Sequence, residues 1–167
     1  MSDPIKALIL THNYPRHKGD FSGVFLQLLA QRLPEHGVLP IILAPHDEGI
    51  ADKETFGQVE IHRFRYEDDE TKETLAYRGD MDRRGRSGPL KLHRFLKKFE
   101  EKAAQIIEHG DVDILAGQWL IPAGIVMRRL SRRSNLPELP MILSSHGTDL
   151  RLANKFSPFS RWYLGSW

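Results

Sequence analysis

The chain has no cysteine. Without thiols there is neither a disulfide framework nor a thiolate metal site, which fits a cytoplasmic protein. No apolar run approaches the roughly 20 residues that span a bilayer as a helix. The opening residues, Met-Ser-Asp-Pro-Ile-Lys, lack the charged-then-apolar pattern of a signal peptide and run straight into a strand candidate. Charge of one sign is scarce as well. The 24 Lys and Arg against 22 Asp and Glu leave a formal net charge of +2, too little for a nucleic-acid partner. The three spaced glycines of the dinucleotide fingerprint are missing, which disfavours a nicotinamide cofactor. A Gly-x-Ser-x-Gly elbow is missing too, which weighs against a hydrolase that pairs His12 or His146 with a serine. No metal cluster is visible, and neither metal nor cofactor is expected.

What is present is a soluble, domain-sized pattern: 167 residues, 40% hydrophobic and 28% charged. Ile5–Leu10, Leu39–Ala44 and Met141–Leu143 are short apolar runs of the kind that become buried strands, and Asp113–Ala116 is a shorter one. Val59–Phe64 alternates apolar and polar residues, as a strand at or near a sheet edge does. Between the first two strands, Val24, Phe25, Leu28, Leu29 and Leu33 recur at helical spacing, with Ser22 as N-cap and Pro34 and Gly37 closing the helix. Strand, helix, strand implies a parallel pair. Leu92, Phe95, Leu96, Phe99, Ala103, Ile106 and Ile107 trace the apolar face of a second helix, started by Ser87-Gly-Pro-Leu90 and ended at Gly110. A third begins at Pro122 with Ile125, Val126 and Leu130 inward and Arg128, Arg129, Arg132 and Arg133 outward. Those arginines suit a helix C-terminus, and an anionic membrane surface is the alternative partner. The predicted fold is an α/β, Rossmann-like open sheet, mostly parallel, with helices on both faces. Residues 65–88, thirteen of 24 charged, read as a mobile insertion with little to bury. Five aromatics among the last twelve residues (Phe156, Phe159, Trp162, Tyr163 and Trp167) suggest packing on the core or a chain that continues past Trp167.

In open parallel sheets, ligands bind beyond the carboxyl ends of the strands. Three stretches occupy that position. The loop Thr11–Gly23 carries Arg16, His17 and Lys18 with Gly19 and Gly23, and leads into a helix N-terminus; this combination suits a phosphate. Gly117-Gln118-Trp119 ends the fourth strand. Ser145-His146-Gly147-Thr148-Asp149 ends the last, with a histidine that can accept or donate a proton, a glycine that permits close approach and an aspartate suited to capping.

The order of these pieces resembles the N-terminal domain of family-4 glycosyltransferases with the GT-B fold, over nearly the whole chain. Tyr14-Pro15 to Gly23 resembles the family's glycine-bearing first loop. Leu29-Ala-Gln-Arg-Leu33 up to Gly37 resembles its first helix and exit. Asp111 to Trp119 with Pro122-Ala-Gly124 is similar to its Asp-x-x-His-x-His-Trp segment and proline turn, and Ser145 to Asp149 matches its His-Gly-x-Asp turn. Ala116 and Gln118 stand where the family often has histidines. Gln118 can hydrogen-bond a hydroxyl but cannot act as a base.

The resemblance implies transfer of a sugar, with retention, from a nucleotide-diphosphate sugar to a lipid, polysaccharide or small-molecule acceptor. It implies that residues 1–167 are the acceptor-binding half, and that a C-terminal nucleotide-sugar domain absent from this chain is its partner. On this reading His146 and Asp149 are the catalytic candidates. Gly19, Gly23, Arg16, Lys18, Gln118, Trp119 and Gly147 are the substrate-binding ones. The donor is a substrate rather than a cofactor, and location is cytoplasmic or peripheral to the inner face of the membrane. A non-catalytic acceptor- or carbohydrate-binding subunit is the alternative.

Overall fold

The computed structural model describes residues 3–78, 89–147 and Asp149. The arginine run 83–86, the helix start at Ser87-Gly88 and the aromatic segment after Leu150 lie outside the described residues. One six-stranded sheet organises the chain: β1 (Ile5–Leu10), β2 (Val38–Pro45), β3 (Lys53–Phe56), β4 (Val59–Phe64), β5 (Ile114–Gln118) and β6 (Met141–Ser144). The strand order is β3-β4-β2-β1-β5-β6. All neighbours are parallel except the β3–β4 hairpin. The fold is therefore the expected α/β, Rossmann-like one.

Alternation along the central strands splits the core in two. Leu8, Leu10, Ile41, Leu43 and Leu115 join the cluster under α2 (Pro89–His109) and α3 (Ile125–Leu130). Ile9, Ile42 and Ala44 join the cluster under α1 (Val24–Arg32) on the other face. Phe95, Phe99, Ala103, Ile106 and Ile107 of α2 are buried as expected, and Phe99 stacks on Phe64 at 4.4 Å, although Leu92 stays exposed. Burying one such ring stabilises by roughly 1.5–3 kcal/mol. At Gly117 a Cβ would lie 2.3 Å from Met127 Sδ, so a larger residue there would require the Met127 side chain of α3 to move. Among the described residues no helix is long and apolar enough to cross a membrane.

Four expectations change. The stripe of α1 faces outward: Val24, Phe25, Leu28 and Leu29 are exposed, while Leu26 and Ala30 are buried. Residues 26, 30 and 33 also recur at helical spacing, and this narrower stripe, with a small residue at its middle, lets the helix sit close to the sheet. Ser22 is not the cap. Gly23 takes that position in the left-handed conformation, no side chain caps the helix, and the Ser22 amide donates to Asp20 Oδ1 instead. Pro122 lies within an irregular turn, Trp119–Gly124, and α3 starts only after it. Finally, residues 65–78 do have something to bury. Tyr66 and Leu75 enter the core, and Glu73, fully enclosed, takes hydrogen bonds from His46 Nδ1 and the Tyr66 amide.

Candidate functional site

From β1 the chain turns toward β2, and from β5 toward β6, so the sheet's topological switch point lies between β1 and β5. Loops leaving adjacent strands in opposite directions open a crevice there. The loop after β1 is braced from within. Thr11 Oγ1 donates to the Asn13 carbonyl and accepts from the Asn13 amide. Gly23, at φ +67°, returns onto that same carbonyl so closely that a Cβ would stand 2.3 Å from it. Only glycine satisfies both the dihedral and the space.

Gly23 places Phe25 beside the crevice. From β5, Trp119 adopts φ +68°, an unusual conformation for a bulky residue. Its ring lies 4.7 Å from His12, 5.7 Å from Phe25 and 4.6 Å from His146, centroid to centroid. Phe25 in turn meets His146 edge-on at 5.0 Å. Three strand ends and one helix start thus contribute to a single aromatic–imidazole cluster. Below it, His146 Nε2 donates to Gln118 Oε1 at 2.7 Å. Asp149 is buried, accepting from the Leu120 amide at 2.8 Å and from Ser145 Oγ at 2.9 Å. Both of its oxygens are thereby engaged within the protein. Ser145 is committed to Asp149 rather than to a histidine, so the serine–histidine pair of a hydrolase is not formed there.

The remaining predicted residues gather elsewhere. Arg16 Nε donates to Asp20 at 2.7 Å and its Nη1 to Asp47 at 2.8 Å, with the guanidinium 4.8 Å over the Tyr77 ring. The Asp20 side-chain hydrogen bond raises Arg16 further, and Arg16 holds the Asp20 carboxyl well below the usual carboxylate range. The Arg16 charge is therefore matched by two carboxylates and braces the loop. Arg16, Lys18 and Gly19 line a cavity of about 470 Å³ shared with Gln31, Glu54 and Phe56, on the β3–β4 side of β1. The aromatic cluster is on the β5–β6 side. Gly147, at φ +84°, is exposed, and among the described residues nothing lies within 4 Å of a Cβ placed there. Two larger cavities, of about 740 and 680 Å³, open at the amino-terminal edge of the sheet, away from every one of these residues.

Sequence reasoning assigned Phe25 to the core and gave His12 only to the hydrolase reading. The position of His12, immediately past the end of β1, was the available signal. Phe25 offered none, because either stripe of α1 could face the sheet.

No known protein family matches the sequence, and no curated protein does. Solved structures do resemble the fold. Sucrose-phosphate synthase from Thermosynechococcus elongatus superposes with a TM-score of 0.60 at 12% identity, over 92% of this chain and 36% of that one. A shorter form of that enzyme gives a TM-score of 0.52 at 17% identity, over 98% of this chain and 82% of that one. The chain thus spans 36% of the length of the first of these structures. At such identities the likeness is one of fold.

Proposed function

We propose that this chain is the acceptor-binding half of a retaining glycosyltransferase, acting with a second domain that holds a nucleotide-diphosphate sugar. The observation that carries the reading is the convergence of Gly23, Phe25, Trp119 and His146 on the switch-point crevice, where ligands of open α/β sheets bind. The likeness in fold to a sucrose-phosphate synthase supports it.

In this reading Trp119 offers a flat face to a sugar ring and His146 a hydrogen bond to a hydroxyl. The start of α1 at Gly23 directs its dipole at the diphosphate as it departs. Arg16 braces the first loop, since two carboxylates already match its charge. The second domain supplies the positive charge, since Lys18 lines the separate cavity on the β3–β4 side of β1. Asp149 positions the turn rather than touching substrate.

Titration of nucleotide sugars and acceptors against the 167-residue chain alone, and against the chain joined to its second domain, tests the reading. The chain alone should bind acceptor and transfer nothing, because reaction needs both substrates in one closed cleft. Transfer should appear in the joined protein and fall in His146→Ala. Transfer unchanged by His146→Ala would remove His146 from the site. The engagement of Asp149 within the protein, and a glutamine at 118 in place of a base, favour one second reading: a carbohydrate-binding subunit without chemistry. Acceptor binding with no transfer in the joined protein would establish it.

A further inference from the structure

Gln118 lies at the last position of β5, in register with Ser144, the last residue of β6, and His146 follows two residues beyond that strand end. Its side chain is buried. The 2.7 Å contact joins His146 Nε2 to the amide oxygen of Gln118. An amide oxygen has lone pairs and no hydrogen, so the ring nitrogen facing it carries the proton. Trp119 and Phe25 lie against the imidazole as well, at 4.6 and 5.0 Å between ring centroids. Among the described residues no other hydrogen bond reaches the ring.

We propose that Gln118 is a positioning residue that fixes neutral His146 as the Nε2–H tautomer, leaving the Nδ1 lone pair as the acceptor offered to a ligand. A partner that holds one nitrogen protonated sets what the other can do. A lone pair accepts, so the ligand group that meets His146 is a hydrogen-bond donor, a hydroxyl, rather than a carbonyl or phosphate oxygen. This last step rests on the glycosyltransferase reading; the tautomer does not. It is the oxygen of Gln118, and not its amide nitrogen, that stands 2.7 Å from Nε2, so the side chain accepts there.

The ring nitrogens of His146 can be read by two-bond nitrogen–proton correlation in the 15N-labelled, ligand-free chain, with the resonance assigned by its loss in His146→Ala. The expected pattern is a pure Nε2–H tautomer. Gln118→Glu, which keeps an oxygen acceptor, should preserve it at a pH high enough to hold the imidazole neutral beside the carboxylate. Gln118→Met, close in size and without an acceptor, should give the averaged nitrogen shifts of mixed tautomers. An Nδ1–H pattern in the parent chain, or identical nitrogen shifts in Gln118→Met, would overturn the proposal. Should Gln118→Met fail to fold, the parent and Gln118→Glu spectra still decide it. In the joined two-domain protein, loss of one such hydrogen bond should lower kcat/KM by about threefold to tenfold in Gln118→Met and leave Gln118→Glu near the parent. A confirmed tautomer without any transfer would count against the glycosyltransferase reading alone.

Discussion

The backbone amide of Leu120 donates to Asp149 Oδ2 at 2.8 Å, tying the turn after β5 to the turn after β6. The other carboxylate oxygen accepts from Ser145 Oγ, so one side chain holds both walls of the crevice beneath Trp119 and His146. Replacing Asp149 by alanine leaves a chain amide without this partner, a loss of roughly 1–3 kcal/mol. The urea midpoint should fall with an unchanged slope. Asp149→Asn, which keeps one carbonyl oxygen, should lose less. Equal midpoints for alanine and parent would refute this role.

Gly23 and Gly19 make a matched pair of tests. Both have positive φ, but a Cβ at Gly23 meets the Asn13 carbonyl at 2.3 Å, whereas one at Gly19 meets nothing within 4 Å. Gly19→Ala should bear only the left-handed backbone penalty, on the order of 1 kcal/mol. Gly23→Ala must displace the first loop as well and should cost clearly more, with a change in Trp119 emission through Phe25. Equal melting temperatures for the two variants would show that the close approach is unimportant.

Glu73 and His46 are both fully buried, and Glu73 Oε2 lies 2.5 Å from His46 Nδ1 while His46 Nε2 donates to the Ile50 carbonyl. Removing one partner leaves the other buried without its hydrogen bond, a loss of roughly 1–3 kcal/mol. Glu73→Ala should therefore destabilise strongly and release 65–78 to proteolysis. Glu73→Leu combined with His46→Leu should recover part of the loss. A double variant as unstable as the sum of its singles would mean the two side chains act independently.

Burial pushes the Tyr14 hydroxyl up to about 12, against the partial opposition of Arg63 nearby. The folded chain then holds this proton more tightly than the unfolded chain, whose tyrosine ionises near 10. The stabilisation is complete below pH 10 and is lost between about pH 10 and pH 12, with a limiting slope of about 1.4 kcal/mol per pH unit. Tyr77, also raised to about 12 by burial, acts in the same direction. Unfolding free energies across this range should decline less steeply in Tyr14→Phe. An identical slope in parent and variant would dissociate Tyr14 from alkaline unfolding.

β1 and β2 were legible as apolar runs bounded by turn formers and β4 by its alternation, and the carboxyl-end rule then selected Gln118, Trp119 and His146. β3 was not legible. Lys53-Glu-Thr-Phe56 is exposed throughout and is a strand only because β4 pairs with it. The stripe of α1 was read the wrong way out because positions 24, 25, 28 and 29 outnumber positions 26 and 30, and spacing alone does not say which side meets the sheet. Arg16 looked like a phosphate ligand because one of its two neutralising carboxylates, Asp47, is 31 residues away along the chain. Glu73 was hidden for a related reason. A charge is buried when its partner is buried with it, and composition counts both as solvated.

The two borders of the sheet differ in a way that bears on how the protein can be extended. The β3 border presents Lys53 and Glu54 to solvent, side chains that deter another strand from pairing there. The β6 border exposes Met141 and Ile142 and, among the described residues, has no strand on its outer side. Growth of the sheet, whether by more of the same polypeptide or by a companion, is thus directed to one side. Each strand added there in parallel would lengthen the row of carboxyl ends beyond His146, widening the crevice on its imidazole side and leaving the Arg16 side as it is.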